Sequence, residues 1–234
     1  MRVFVGTMES GESDWTLCKE AIAQQAGVDF YHHVVSGMNE RDAHIALYDE
    51  WISRRSEFDL FLKVDADTVL RHDGVIACYV ELFKKEKRLT GVQAWLHDFM
   101  TDSKIFGLNC MRNNVTITTR RDSLYYDRVD SAHDIVMRGD SLPDSINPAG
   151  LHCHSASEMQ AFRYGVHRSL KNQTDIRDRV RAAWNENGRD RIRGMALIGF
   201  KFASECRAYN YTDKDFTDSF SRFSRVYDVA IKEI

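Results

Sequence analysis

The sequence has few of the features that mark a secreted or membrane-spanning protein. Its five cysteines are odd in number and show no Cys-x-x-Cys spacing, which indicates reduced thiols rather than a disulfide framework. No apolar run approaches the roughly 18 residues that span a bilayer. Residues 2–7 read as a strand that begins at once, without a signal peptide. We therefore expect a cytoplasmic protein with no transmembrane segment, and a peripheral position at the inner face of a membrane is a further option.

A large excess of positive charge is also missing. The formal net charge is −3, so no overall basic field indicates bulk binding of nucleic acid. A nucleotide-sized anion needs only a local site and is not excluded. The 234 residues, 43% of them hydrophobic and 29% charged, suffice for one substantial globular domain or for a domain with an extension.

Hydrophobic periodicity predicts four strands that alternate with three helices. The predicted strands cover residues 2–7, 30–35, 59–64 and 90–95, and the predicted helices cover residues 15–26, 39–55 and 72–87. This alternation predicts an α/β fold, a Rossmann-like domain with a mostly parallel central sheet flanked by helices. Right-handed crossovers then place the loops after residues 7, 35, 65 and 95 along one edge of the sheet.

The second half of the chain has a different pattern. Residues 96–150 are irregular and hold the only two prolines, as is usual for a functional or mobile segment. Helices are predicted near residues 161–170, 175–184, 191–206 and 215–234. We predict a catalytic domain of residues 1–171 and a helical extension of residues 172–234. Its apolar residues need burial, so we expect the extension to pack on the domain or to form a homodimer.

Two carboxylates follow the third predicted strand. Alternation along a strand points Asp65 and Asp67 to the same side as the chain leaves the sheet. Convergent carboxylates repel unless a cation lies between them, and a divalent metal is the usual solution. The sequence therefore predicts a metal site at Asp65 and Asp67, with a solvated acidic turn as the simpler alternative. Lys63 is expected to point away from Asp65 and to be structural.

Two histidines, His152 and His154, flank Cys153 after the irregular segment. Histidine is a common ligand of borderline metals and can complete a site begun by carboxylates. The alternative is that one imidazole forms a hydrogen bond in the core and the other is solvated. We predict that His152 or His154 is the further metal ligand.

Candidates for a general base lie after the fourth strand and in the irregular segment. Asp98 would face the same edge as the metal, although a capping role also explains it. Asp134 follows Asp130 by four residues, a spacing that a solvated helix face also explains. Arg41 opens the second predicted helix, and the start of a helix suits phosphate binding.

These motifs resemble the GT-A fold of nucleotide-sugar-dependent glycosyltransferases, most nearly the family 2 type. The resemblance covers roughly residues 2–171 and rests on the strand 3–7, the helix 39–51, Asp65-Ala66-Asp67, the loop from Trp95, and His152 with His154. It implies a nucleoside-diphosphate sugar as donor and a Mn²⁺ or Mg²⁺ ion that bridges the donor diphosphate. The implied acceptor is a hydroxyl of a saccharide, a lipid-linked molecule or another compound.

The resemblance also implies roles for single residues of the Asp-x-Asp motif. Asp67 would be a direct metal ligand. Asp65 would contact the ribose or a metal-bound water, with Ala66 beside it in the donor site. His152 or His154 would complete the metal shell.

Further implied roles concern the nucleotide and the base. Thr7 and Glu9 would line the nucleobase and ribose pocket. The aspartate pair usual after the second strand is replaced by Ser36-Gly37, and the usual Glu-Asp pair on the acceptor side is not evident. Asp98 and Asp134 are the substitutes considered for the base.

Two other functions are compatible with the sequence. Asp65-Ala66-Asp67-Thr68 also matches the Asp-x-Asp-x-Thr motif of haloacid-dehalogenase-type phosphatases, in which Asp65 would be the nucleophile and Asp67 the general acid. Residues 139–144 resemble the later Mg²⁺-binding motif of those enzymes. However, their motif follows the first strand, and no lysine occurs here between residues 105 and 140. The other alternative is a non-catalytic module that binds a nucleotide or a glycan.

Overall fold

The computed structural model describes residues 1–119, 129–131, 136–206 and 213–234. The strands in these residues are β1 (Arg2–Glu9), β2 (Asp29–Ser36), β3 (Leu60–Lys63), β4 (Thr68–Leu70), β5 (Gly91–Asp98), β6 (Ser103–Arg112), β7 (Ile117–Thr119), β8 (Val129–Ser131), β9 (Val136–Arg138) and β10 (Gly150–His152). The helices are α1 (Trp15–Ala23), α2 (Glu40–Arg54), α3 (Val75–Lys85), α4 (Glu158–Leu170), α5 (Thr174–Glu186), α6 (Arg191–Lys201), α7 (Lys214–Arg225) and α8 (Tyr227–Ala230). Asp134, one of the base candidates, lies outside the described residues.

The predicted fold class is confirmed, because helices flank a central sheet and further helices follow it. The strands lie side by side in the order β2-β1-β3-β6-β5-β10-β4, and β9 also pairs with β5. β1 pairs in parallel with β2 and with β3, as expected of alternating strands and helices. The sheet is mixed rather than mostly parallel, because β6 runs antiparallel to β3 and β5, and β4 runs antiparallel to β10.

The antiparallel strand β6 lies between β3 and β5. β5 nevertheless runs in the same direction as β3. β5 and β6 form a hairpin through residues 99–102. Since β6 is antiparallel to both β3 and β5, the latter two run in the same direction, and β10 is parallel to β5. The carboxyl ends of β1, β3, β5 and β10 therefore face one edge of the sheet, where open α/β sheets bind their ligands.

Side chains that alternate along the strands pack into two hydrophobic layers, one on each face of the sheet. Val3 and Val5 of β1 pack with α1 and α3 on one face of the sheet. Phe4, between them, packs on the other face with Leu47 and Trp51 of α2. This period of two along the strand gives the sheet an apolar layer on each face. The site at the strand ends is thus held on a rigid platform.

The helices after β10 form a third hydrophobic cluster. Two glycines allow α4 and α6 to approach closely, because a Cβ on Gly165 would lie 1.9 Å from the carbonyl oxygen of Ala196 and one on Gly199 would lie 2.2 Å from that of Phe162. The cluster joins α4 to helices beyond residue 172. The boundary at residue 172 stays a prediction. Across the described residues, each helix is too short or too polar to cross a membrane.

Candidate metal centre and its cavity

A tight turn at the end of β3 presents the two carboxylates of the Asp-x-Asp motif. The Thr68 N–H donates to the carbonyl of Asp65 over 2.9 Å, and β4 begins directly after the turn. The Asp65 side chain is about half exposed, whereas that of Asp67 has only 18% of its surface exposed. Asp67 is therefore the carboxylate that the fold encloses more fully.

His152, the last residue of β10, lies beside Asp67. Sheet register places His152 opposite Thr68 of β4 and Asp98 of β5. Its Nε2 is 3.4 Å from Asp67 Oδ2, and its Nδ1 is 2.7 Å from Asp98 Oδ1. A carboxylate behind a histidine fixes the orientation and tautomer of the ring, so that the other nitrogen can face a metal.

Asp98 is completely buried behind His152. Its second oxygen, Oδ2, accepts hydrogen bonds from the N–H and the hydroxyl of Thr101 at 2.9 and 2.7 Å. The Tyr164 hydroxyl donates to the same oxygen over 3.4 Å. Both oxygens of Asp98 are thus engaged in a network that holds the imidazole in place.

Three side chains form what we call the metal-ligand group: Asp67, His152 and Cys153. Their ligand atoms all lie within 4.8 Å of one another. Asp67 Oδ1 is buried and has no hydrogen-bond partner among the described residues. A buried carboxylate oxygen without a partner is costly, and a bound cation would satisfy it. The residues therefore fit a divalent metal.

The charges around this group favour a cation between the carboxylates. Burial alone would raise the pKa of Asp98, but the hydrogen bond and charge of His152, together with the hydrogen bonds from Thr101, outweigh burial and hold the pKa below its usual range. Burial alone would lower the pKa of His152, but Cys153, Asp67 and Asp98 together raise it well above 6.5 through their charges and hydrogen bonds. Without a metal, the imidazole is thus the cation between two carboxylates. A metal ion would supply that charge in its place.

Lys63 belongs to the site, contrary to its predicted orientation. Residues two apart in a strand share a face, and the Lys63 Nζ forms an ion pair with Asp65 Oδ1. Desolvation alone would raise the pKa of Asp65, but the charge and hydrogen bond of Lys63, together with the charges of His44 and His152, outweigh it and lower the pKa to about 2. Asp65 is consequently ionised at neutral pH.

The metal-ligand group opens into a cavity of about 160 Å³. Another part of the lining is one face of α4, on which we define the cationic face as Arg163, Arg168 and Lys171. His167 lies beside them, but burial lowers its pKa well below 6.5 and leaves the ring neutral at pH 7. Spacings of three and four residues place these side chains on the same side of the helix. The cavity thus has ligands for a metal on one wall and positive charge on another.

Carboxylates also line the cavity, among them Glu9, Glu12 and Glu40. Glu40 forms an ion pair with Arg163 of the cationic face and also lies beside Nε2 of His167, both at 3.3 Å. Burial raises the pKa of Glu12, and the nearby charge of Asp67 adds to this shift. The negative charge of these carboxylates is therefore partly neutralised.

The structure brings together some of the residues predicted for the site. The predicted residues that line the cavity are Glu9, Asp65, Ala66, Asp67 and His152. Their roles in binding a metal or a donor stay predictions, as does the role of Asp98, which lies directly behind His152.

Three other predicted residues lie away from the cavity. His154 is exposed two residues beyond His152 and does not line the cavity. Thr7 is buried, and its hydroxyl oxygen is 3.0 Å from His32 Nε2. Arg41 is exposed in the first turn of α2 and does not line the cavity either.

The sequence analysis missed the cationic face of α4 and the inclusion of Cys153. The signal for the helix face was present, because Gln160, Arg163, His167 and Lys171 recur every three or four residues. Cys153 could not have been found from spacing, since it depends on the turn after β10. Its backbone φ is 54°, in the left-handed region that few non-glycine residues adopt.

Fold and site together define an α/β protein with a candidate metal centre of Asp67, His152 and Cys153 at the carboxyl ends of its strands. No protein-family model and no curated protein matches the chain. Among solved structures, it is similar to the crystal structure of A197 from STIV, with 12% identity and a TM-score of 0.36 over 48% of this chain and 65% of that one. It is also similar to a glycosyltransferase involved in the glycosylation of the major capsid of PBCV-1, with 11% identity and a TM-score of 0.32 over 48% of this chain and 60% of that one. Both overlaps span less than two thirds of the compared chain, and neither assigns an activity here.

Proposed function

We propose that this protein is a metal-dependent glycosyltransferase that moves a sugar from a nucleoside-diphosphate donor to an acceptor hydroxyl. The observation that carries the proposal is the pairing of two features across one cavity. The Asp67–His152 pair suits a divalent metal, and the cationic face of α4 suits phosphate oxygens. A diphosphate with a bound metal needs both.

Mn²⁺ or Mg²⁺ is the proposed ion, held by Asp67 and His152. Such an ion would act as a Lewis acid that neutralises the charge developing on the leaving diphosphate. Imidazole among the ligands favours Mn²⁺ over Mg²⁺, which prefers oxygen ligands. We assign Asp65, ionised and half exposed beside the cavity, to the donor ribose or to a metal-bound water.

The cationic face of α4, which lines the same cavity as the metal-ligand group, would bind the diphosphate. Arg163 and Arg168 can each present two parallel N–H groups to phosphate oxygens, and Lys171 adds a point charge. Glu40 holds Arg163 in place through its ion pair. These residues would orient the donor and would stabilise the diphosphate as it leaves.

We assign Asp98 to positioning rather than to proton transfer. Its side chain is buried, and both oxygens already accept hydrogen bonds. A general base has to reach the proton that it removes, either directly or through one water. Asp98 instead reaches His152, so its substitution would act through the metal.

The phosphatase alternative is less well supported by the geometry. Asp140, in its second motif, accepts a hydrogen bond from the Trp95 indole at 3.1 Å and lies 3.5 Å from Lys104 Nζ. Neither Asp140 nor Asp144 lines the cavity with Asp65 and Asp67. In the phosphatase mechanism, the second acidic motif, with Asp140 and Asp144, would have to face the nucleophile Asp65.

A donor panel tests the proposal. UDP- and GDP-linked sugars are added with and without Mn²⁺, and CMP-linked sugars, which lack the diphosphate, are the matched control ligands. At about 100 times its Kd, the right donor should raise the melting temperature by about 5–10 °C, and only with Mn²⁺. Asp67→Asn should abolish this shift, whereas Asp102→Asn, an exposed carboxylate outside the cavity, should keep it.

The panel also separates the alternatives. Release of nucleoside diphosphate from the stabilising donor, followed by chromatography, reports sugar transfer or donor hydrolysis. Stabilisation without any release would indicate a binding module. If no donor stabilises the protein and an aryl phosphate is hydrolysed instead, the phosphatase interpretation replaces the proposal.

A further inference from the structure

We propose that Asp67, His152 and Cys153 form a three-ligand tetrahedral site for Zn²⁺, with the fourth position open to the cavity. Cys153 takes no part in the proposed sugar transfer, yet its Sγ lies against both other ligand atoms. It is 3.6 Å from Asp67 Oδ2 and 3.9 Å from His152 Nε2, and those two atoms are 3.4 Å apart. The three atoms form a nearly equilateral triangle.

Two edges of this triangle match one face of a zinc tetrahedron, and the third, between Cys153 Sγ and His152 Nε2, is about 0.2 Å longer. Zinc binds oxygen and nitrogen at about 2.0–2.2 Å and sulfur at about 2.3 Å, which places tetrahedral ligands about 3.3–3.7 Å apart. An octahedral ion with ligands at about 2.1 Å would bring neighbouring ligands to about 3.0 Å. The spacing therefore favours the tetrahedral ion. A carboxylate, an imidazole and a thiol are also a common set of zinc ligands.

The thiol is held in position by its surroundings. The Cys153 N–H donates to the carbonyl of Asp67 over 2.9 Å, which ties the two ligand residues together. The Gln160 side-chain amide donates to the sulfur over 3.6 Å, and Gln160 Oε1 in turn accepts a hydrogen bond from the Ser13 hydroxyl. The left-handed backbone at Cys153 is a conformation that persists only where the surroundings fix it.

Zinc at this position would compete with the ion of the transfer reaction, a part of the inference that rests on the proposed function. Zn²⁺ binds mixed nitrogen, oxygen and sulfur sites more tightly than Mn²⁺ does. Binding displaces two protons to solvent, one from the Cys153 thiol and one from Nε2 of the His152 imidazolium, and leaves a zinc–thiolate and a zinc–imidazole bond. One open position remains, so the ion cannot chelate two phosphate oxygens while it stays four-coordinate. We therefore infer that Zn²⁺ inhibits the Mn²⁺-dependent reaction.

Cobalt substitution tests the site without reference to activity. Co²⁺ added to the full-length protein should give a sulfur-to-cobalt charge-transfer band and the intense visible bands of tetrahedral cobalt, and Zn²⁺ should remove both. Cys153→Ser should lose the charge-transfer band. It should also bind Zn²⁺ about 100-fold more weakly, because loss of outer-shell partners alone already costs about 10–100-fold.

Cys18→Ser is the matched control, since Cys18 is buried near the carbonyl of Asp65 but does not line the cavity. It should keep the spectrum and the zinc affinity of the wild type. X-ray absorption at the zinc edge of the wild-type protein counts one sulfur neighbour and needs no variant, should Cys153→Ser fail to fold. A wild-type cobalt spectrum without the sulfur band, or a zinc edge without sulfur, would overturn the inference.

The two proposals fail separately. Mn²⁺-dependent nucleotide binding that persists without a sulfur–metal bond would leave the transferase proposal standing and remove the zinc site. A sulfur-bound zinc ion in a protein that binds no nucleoside diphosphate would keep the zinc site and remove the transferase proposal.

Discussion

Asp98 differs from the other carboxylates near the metal-ligand group because it has no exposed surface and no unused oxygen. Its contacts run to His152, Thr101 and Tyr164, all of them buried or half-buried. An imidazole oriented by such a carboxylate is a stronger metal ligand than a free one. The effect of Asp98 should therefore appear in metal affinity.

Asp98→Asn should weaken Mn²⁺ binding by about 10–100-fold, because the amide carries no charge to support the His152 ring. The turnover at saturating Mn²⁺ should stay within a few fold of the wild type. Metal titration followed by the signal of free Mn²⁺ measures the affinity. Asp102→Asn, four residues along the chain and exposed, is the control and should leave the affinity unchanged.

The same variant distinguishes positioning from base catalysis. Loss of a general base would lower turnover by about 100-fold or more at every metal concentration. If Asp98→Asn binds Mn²⁺ as tightly as the wild type but loses turnover to that extent, Asp98 is the general base. The melting temperature of Asp98→Asn shows in parallel whether the buried network still folds.

Helix α4 links the hydrophobic core to the cavity. Its apolar side, with Phe162 and Val166, packs on the C-terminal helices, while its cationic face lines the cavity. The close contact of Gly165 with α6 fixes the depth of the helix. Packing of the apolar side of α4 therefore determines the position of its cationic face in the cavity.

Arg168→Gln should weaken binding of a nucleoside diphosphate by about 10-fold or more. A hydrogen bond to a charged group contributes about 1.5–3 kcal/mol, and about 1.4 kcal/mol corresponds to tenfold in affinity. Calorimetric titration measures the affinity. Added salt should reduce it less steeply in the variant, since one phosphate contact is gone.

Arg177→Gln is the matched control on the next helix. Arg177 is exposed on α5, pairs with Asp178 and does not line the cavity. Its substitution should leave nucleotide affinity and salt dependence unchanged. Equal weakening by both variants would mean that overall charge, rather than the cationic face of α4, attracts the nucleotide.

At the scale of the whole molecule, local patterns and long-range pairings differ in how well the sequence predicts them. The bounds of β1, β2 and β3 and of the first three helices follow from periods of two and 3.6 residues, and they agree with the structure to within a few residues. β4, β9 and β10 have three residues each, too few to show a period. β6 lies in the segment 96–150, in which the sequence shows no regular period. Its pairing with β3 joins residues about 50 positions apart.

The candidate site shows the same division. Asp65 and Asp67 were predictable, because a strand of ordinary pattern delivers them. The choice between His152 and His154 was not, since it depends on the register of β10 against β5. The burial of Asp98 follows from that register too. Cys153 enters the group through a turn conformation that no sequence period encodes.

Coupling between metal and nucleotide tests the proposed function most directly. The affinity for a nucleoside diphosphate is measured by calorimetry with and without Mn²⁺, in the wild type and in Asp67→Asn. Two ligands that share one site should couple by about 1–3 kcal/mol, or about 5- to 150-fold. We expect this coupling in the wild type and its loss in Asp67→Asn. Equal affinity with and without Mn²⁺ in the wild type, or the same gain in both proteins, would contradict a metal–diphosphate site at Asp67.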